Sequence, residues 1–169
     1  NGEDFQIVYS DTPGILKPAY KLQESMMNFV QGAVDDADVI LYVTDTVEQS
    51  DRSESIIERI NHSGIPAIVV INKIDLTTPD KLEALASEWS AKMPQAVIIP
   101  VSAKEKVGMA GVLDAILERL PEGEAFYPKD TLTDKTLRFF ASEIIREKIL
   151  LNYDKEIPYC CEIEIDSYK

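Results

Sequence analysis

The sequence predicts an α/β domain built on a mainly parallel sheet, and two observations predict it. Short apolar runs alternate with longer segments whose apolar residues recur at helical spacing. Three of those runs are nearly continuous, as expected of strands covered on both faces. The composition agrees: of 169 residues, 45% are hydrophobic and 28% charged, which suits a packed core and excludes a disordered chain.

The elements follow in order. Phe5-Gln6-Ile7-Val8-Tyr9 is a β-rich run and is predicted as a strand. Residues 20–34 carry Leu22, Met26, Phe29, Val30 and Ala33 at helical spacing. Residues 39–43 form a buried strand, and residues 53–60 a helix stopped by Gly64 and Pro66. Residues 67–71 are a second buried strand. Residues 79–93 are a helix with Leu82, Leu85, Ala86 and Trp89 on one face. Residues 96–99 make a third buried strand, and residues 111–120 a helix. The texture then changes. Residues 121–133 lack any period and read as a linker. Residues 135–151 form an amphipathic helix through Phe139, Phe140, Ile144, Ile145, Ile149 and Leu150, and residues 159–165 alternate as a half-buried strand. One helix and one strand cannot enclose a core, so this tail reads as the start of a second domain.

Charge and cysteine content restrict the function. Seventeen basic against thirty acidic residues give −13, which repels phosphate backbones and anionic lipid unless a local basic patch intervenes. No apolar run reaches the length of a membrane span, and no signal peptide is read at the N-terminus. Cys160 and Cys161 are the only cysteines and are adjacent, which excludes a disulfide framework and favours a reducing setting.

Three short motifs sit where predicted strands run out, the edge at which open α/β sheets place ligands. Asp11-Thr12-Pro13-Gly14 follows the first run. A carboxylate there can hold Mg²⁺ through water, and a glycine lets its amide approach a terminal phosphate; a plain turn is the alternative. Asn72-Lys73-Ile74-Asp75 follows the second buried strand. The Asp75 carboxylate can accept both the ring N–H and the exocyclic amine of guanine, a donor pair adenine lacks. Asn72 can bond the purine's other edge or pin the loop, and the stem of Lys73 can lie over the ring. The alternative is a capping Asn with a solvated Lys-Asp pair. Ser102-Ala103-Lys104 follows the third strand. Its small residue can bring a backbone N–H to the guanine carbonyl while Lys104 covers the other face.

In this order, at the ends of three strands, the motifs resemble the third, fourth and fifth signature elements of P-loop GTPases. Further on, Tyr127-Pro128, Thr133-Asp134, Arg138-Phe139, residues 141–148 and Glu156-Ile157-Pro158-Tyr159 resemble the linker and second-domain opening of the Era family. The resemblance runs over essentially the whole chain, and residues 142–148 are its most specific part.

Members of that family are bacterial GTPases with a C-terminal KH domain that binds the 3′ end of small-subunit ribosomal RNA. The resemblance therefore implies a partial GTPase domain over 1–120, a linker over 121–134 and the N-terminal part of an α+β KH domain over 135–169. It implies GTP/GDP and Mg²⁺ as cofactors, with 16S ribosomal RNA and the small ribosomal subunit as partners. It also implies a role in 30S assembly and a cytoplasmic protein with peripheral association at the inner membrane. Asn72, Lys73, Asp75, Ser102, Ala103 and Lys104 would recognise guanine; Asp11 and Gly14 would sense Mg²⁺ and the γ-phosphate. Ile15 stands where many GTPases carry a water-orienting glutamine; Era-like relatives resemble this chain in having an apolar residue there, which implies slow intrinsic hydrolysis.

The chain contains no phosphate loop ending in Gly-Lys-Ser/Thr, no first switch and no KH GxxG loop. Upstream and downstream sequence is therefore expected in the working protein, and no catalysis from this chain alone. The missing first strand would lie between the runs at 5–9 and 39–43. Two alternatives remain open at this point: a non-catalytic interaction module of GTPase ancestry, and another GTPase of the same superfamily. Other polar or aromatic residues have plainer readings: His62 as a solvated helix end, Trp89 as core, Asp35, Asp36 and Asp38 as an acidic turn. Arg138, Arg146 and Lys148 are interleaved with Glu143 and Glu147 and read as a solvated helix face.

Overall fold

The computed structural model describes residues 2–12, 21–47, 54–128, 133, 135–153 and 162–167. The chain divides into two compact units, Ile7–Glu124 and a second formed by Asn1–Gln6 with Ala125–Lys169.

The larger unit runs α1 (Lys21–Asp35), β1 (Ile40–Asp45), α2 (Glu54–Ser63), β2 (Ala67–Asn72), a 3₁₀ turn (Ile74–Leu76), α3 (Pro79–Lys92), β3 (Val97–Pro100) and α4 (Met109–Leu117). The strands form one parallel sheet in the order β1-β2-β3, with Ile40 opposite Ala67 and Ile68 opposite Val97. β2 is central, and its residues alternate between two cores. Ala67, Val69 and Ile71 join Val30, Ile57, Ile60, Trp89 and Met93 on the face covered by α1, α2 and α3. Ile68 and Val70 join Val101, Val112, Ala115 and Ile116 beneath α4. An unbroken Ile/Val run is what burial on both faces requires.

Helix ends obey local chemistry. Gly64 takes φ +73°, the left-handed residue that stops α2. Pro79 opens α3, where its missing N–H is not needed. His62 in the last turn of α2 places Nδ1 2.6 Å from the Glu58 carbonyl, so Nδ1 carries the proton and donates. Trp89 is 2% exposed, with its ring 5.1 Å from that of Tyr42, as the core reading expects. Asp35 departs from the solvated-turn reading: both its oxygens accept from Arg59 Nη2, at 2.7 and 2.6 Å, which ties α1 to α2.

Four strand predictions need correction. β3 is only half-buried: Val97, Ile98, Ile99 and Pro100 all keep partial exposure at the end of the strand order. Residues 5–9 are not in a strand, because no described residue offers them a ladder; Ile7 packs on the second core while Val8 and Tyr9 stay exposed. β1 is not buried on both faces. Ile40 and Tyr42 enter the first core, but Leu41 and Val43 are exposed, since α4 packs over β2 and β3. Residues 162–165 are likewise outside any strand, and 159–161 lie outside the described residues.

The smaller unit holds α5 (Leu137–Asn152), capped by the Thr136 hydroxyl accepting from the Phe139 N–H at 3.4 Å. None of its residues is buried, and Phe139, Phe140, Ile144, Ile145 and Leu150 are exposed. Gln6 and Tyr127 exchange two hydrogen bonds within this unit, at 2.9 and 3.0 Å.

Candidate functional site

The parallel register decides where polar residues gather. Asp45 lies opposite Asn72, and Ile71 opposite Pro100, so the C-terminal ends of all three strands share one edge. Two of the three motifs leave the sheet there.

Asn72, the last residue of β2, joins them. Its side-chain oxygen accepts the Lys73 N–H at 2.8 Å and the Ala103 N–H at 3.0 Å. Two N–H donors identify that atom as the oxygen, and Nδ2 is then the group left to donate outward. Asn72 is therefore a loop pin and not a helix cap. Lys73 follows in a left-handed conformation, φ 62° and ψ 34°. For a residue with a Cβ this costs on the order of 1–2 kcal/mol. The surroundings offset it. The Lys73 carbonyl accepts from Leu76 N–H and from Thr46 Oγ1, each at 2.9 Å, and Nζ pairs with Asp45 Oδ2 at 2.5 Å. The predicted alternative of a Lys73–Asp75 pair is thus replaced by a Lys73–Asp45 pair.

The third motif packs behind the second. Ser102 is 1% exposed, and its hydroxyl donates to Asp75 Oδ1 at 2.5 Å while accepting from Glu105 N–H at 3.2 Å. Ser102 and Val107 exchange backbone bonds at 3.1 and 3.0 Å, which close the loop into a small hairpin. Gly108 ends it at φ +77°, where a Cβ would meet the Pro100 carbonyl oxygen at 2.6 Å. Only glycine fits that approach.

Electrostatics complete the site. The Ser102 hydrogen bond holds the Asp75 carboxyl below its usual range, against a smaller desolvation effect; its own backbone N–H and the Lys104 ammonium act in the same sense as Ser102. Asp75 is thus an exposed, ionised acceptor whose remaining lone pairs can meet two donors on a ligand edge. Lys104 is well exposed, with Nζ 4.0 Å from Glu105.

The predicted residues are not all assembled. Hydrogen bonds join Asn72 to Lys73 and Ala103, and Asp75 to Ser102. The Ala103 N–H, assigned from sequence to a guanine carbonyl, donates to Asn72 in this structure. Asp11 is exposed and makes no hydrogen bond to the base loops; Gly14 and Ile15 lie outside the described residues, as do Cys160 and Cys161. No group of three metal-binding side chains exists among the described residues. Among the described residues, no helix is long and apolar enough to cross a membrane. Sequence reasoning missed Asp45 and Thr46. The signal was present: they are a polar pair at the end of an apolar strand, as the other motifs are.

The family model described as the elongation factor Tu GTP binding domain matches residues 2–122. GTPase Era of Clostridium perfringens is 36% identical over 169 residues, which is 99% of this chain and 57% of that protein. A chloroplastic GTPase ERA-like protein of Oryza sativa is 40% identical over 171 residues, 98% of this chain and 40% of that protein. The crystal structure of an Aquifex aeolicus Era bound to GDP·AlF₄⁻ superposes with a TM-score of 0.74 at 36% identity. It covers 88% of this chain, and the match takes in 51% of that one. The chain thus spans little more than half the length of these bacterial relatives.

Proposed function

The chain belongs to the family of elongation factor Tu GTP-binding domains, and from that premise we propose that it is the base-recognition half of an Era-like GTPase. Guanine nucleotide and Mg²⁺ are the cofactors of that family. The observation that carries the reading is the bonding of Asn72 to Ala103 and of Ser102 to Asp75, which joins two loops into one acceptor-and-donor surface.

On this surface Asp75 accepts the ring N–H and exocyclic amine of guanine, and Asn72 Nδ2 donates to the other purine edge. The stems of Lys73 and Lys104 cover the ring. The Ala103 N–H reaches the guanine carbonyl only by sharing its bond to Asn72. Adenine would leave Asp75 unpaired, which is the source of base selection. Asp11 holds Mg²⁺ through water and Gly14 senses the terminal phosphate. In the complete protein, residues beyond this chain supply the phosphate loop, and slow GTP hydrolysis follows; the 169-residue chain alone has no turnover.

Similarity to Era proteins supports the wider role. Residues 135–169 then open a KH domain that binds 16S ribosomal RNA of the small subunit during 30S assembly. The setting is the cytoplasm, with peripheral association at the inner membrane. Two measurements test this reading. Titration of the full-length protein with GDP and ADP is expected to show binding of GDP alone, and equal affinity would contradict it. Phosphate release from GTP is expected from the full-length protein and not from the 169-residue chain; turnover by the chain would contradict the assignment of catalysis to residues outside it.

A further inference from the structure

The end of β1 carries a polar pair that the base-recognition reading does not use. The Asp45 side chain is 14% exposed, and its carboxylate faces two ways: Oδ2 pairs with Lys73 Nζ at 2.5 Å and Oδ1 accepts the Val47 N–H at 2.8 Å. Thr46 donates its hydroxyl to the Lys73 carbonyl at 2.9 Å and its N–H to the Asn72 carbonyl at 3.2 Å. Both ends of Lys73, main chain and ammonium, are therefore bonded to consecutive residues, Asp45 at the end of β1 and Thr46 just beyond it. Lys73 is also the residue held in the left-handed region, so its side-chain direction depends on these bonds.

We infer that Asp45 and Thr46 are positioning residues that clasp Lys73 and set the direction of its stem across the purine face. The inference rests on the nucleotide-site reading. An unclasped Lys73 would be a flexible, strongly hydrated side chain with little reason to lie along a ring. With Nζ anchored on a carboxylate that is itself held by the Val47 N–H, the methylene stem becomes a fixed apolar strip. Selection among bases stays with Asp75; the clasp governs how tightly any accepted purine is held.

A double-mutant cycle on the full-length protein tests this, with GDP affinity and thermal melting measured together. Asp45→Asn and Lys73→Met are each expected to weaken GDP binding by about five- to tenfold, and the double variant by no more than the worse single one. Thr46→Val, which keeps the ion pair, is expected to weaken GDP binding about threefold, within the range of one hydrogen bond. The preference for GDP over XDP is expected to stay unchanged in all of them. Additive losses for Asp45→Asn and Lys73→Met overturn the inference. So does a lowered melting temperature with wild-type GDP affinity, which marks Asp45 as structural only. If Asp45→Asn fails to fold, Thr46→Val decides, and wild-type GDP affinity in that variant overturns the clasp. A wild-type protein that does not distinguish GDP from ADP removes the nucleotide reading, and the clasp with it.

Discussion

The side-chain oxygen of Asn72 accepts the backbone N–H of Ala103 at 3.0 Å across 31 residues of sequence. One amide thereby welds the loop after β2 to the loop after β3. Asn72→Ala removes this bond and the one to Lys73 together. The expected loss is about 1 kcal/mol of stability, because the freed amides are exposed and regain water. GDP affinity is expected to fall by a larger factor than stability suggests, since two recognition loops separate. Urea denaturation beside a GDP titration reads both.

Ser102→Ala tests the electrostatics. The hydroxyl is the main cause of the lowered Asp75 carboxyl, so its removal is expected to move that carboxyl back toward the ordinary range. A carboxyl depressed in the folded state contributes stability that is present above its unfolded value and lost as pH falls through its folded value. The wild-type advantage over Ser102→Ala is therefore expected at neutral pH and to narrow in acid. Carbon-detected NMR titration of Asp75 checks this; identical midpoints in the two proteins would contradict the stated cause.

Gly108→Ala probes the hairpin behind the site. The substitution places a Cβ 2.6 Å from the Pro100 carbonyl oxygen at a φ of +77°. A cost of about 1–3 kcal/mol is expected. Displacement of Ser102 and Ala103 should accompany it, visible as altered amide shifts at both and weaker GDP binding.

Trp89→Ala tests the core on the α3 side. The ring is 2% exposed and packs on Tyr42, so a loss of about 3–5 kcal/mol in chemical denaturation is expected. Tyr42 lies in mid-strand opposite Val69, and the base loops leave the sheet beyond Asn72 and Pro100, so residual folded protein should keep its base preference.

Much of this was legible before any coordinates. Continuous apolar runs located β1, β2 and β3 within a residue or two, because burial on one or both faces leaves a compositional mark. The polar residues after β2 and β3 marked the site, because a parallel sheet brings its strand ends to one edge. The rest depended on partners that local sequence does not name. Residues 5–9 have strand composition but no ladder among the described residues. Leu41 and Val43 look like core residues, yet no described helix covers their face. Asp45 was overlooked because its meaning comes from register: only the pairing with Asn72 brings it to Lys73. The bond from the Ala103 N–H to Asn72 was hidden for a related reason, since an amide's partner is set by what lies across the gap.

Asp75→Asn in the full-length protein tests the central claim most directly. Replacing a carboxylate by an amide exchanges an acceptor for a donor at the purine edge, where xanthine presents a carbonyl and guanine an amine. The expected result is a preference reversed from GDP to XDP, with XDP bound more tightly than by the wild-type protein. Unchanged GDP preference in a folded Asp75→Asn variant would contradict the placement of the base at this site.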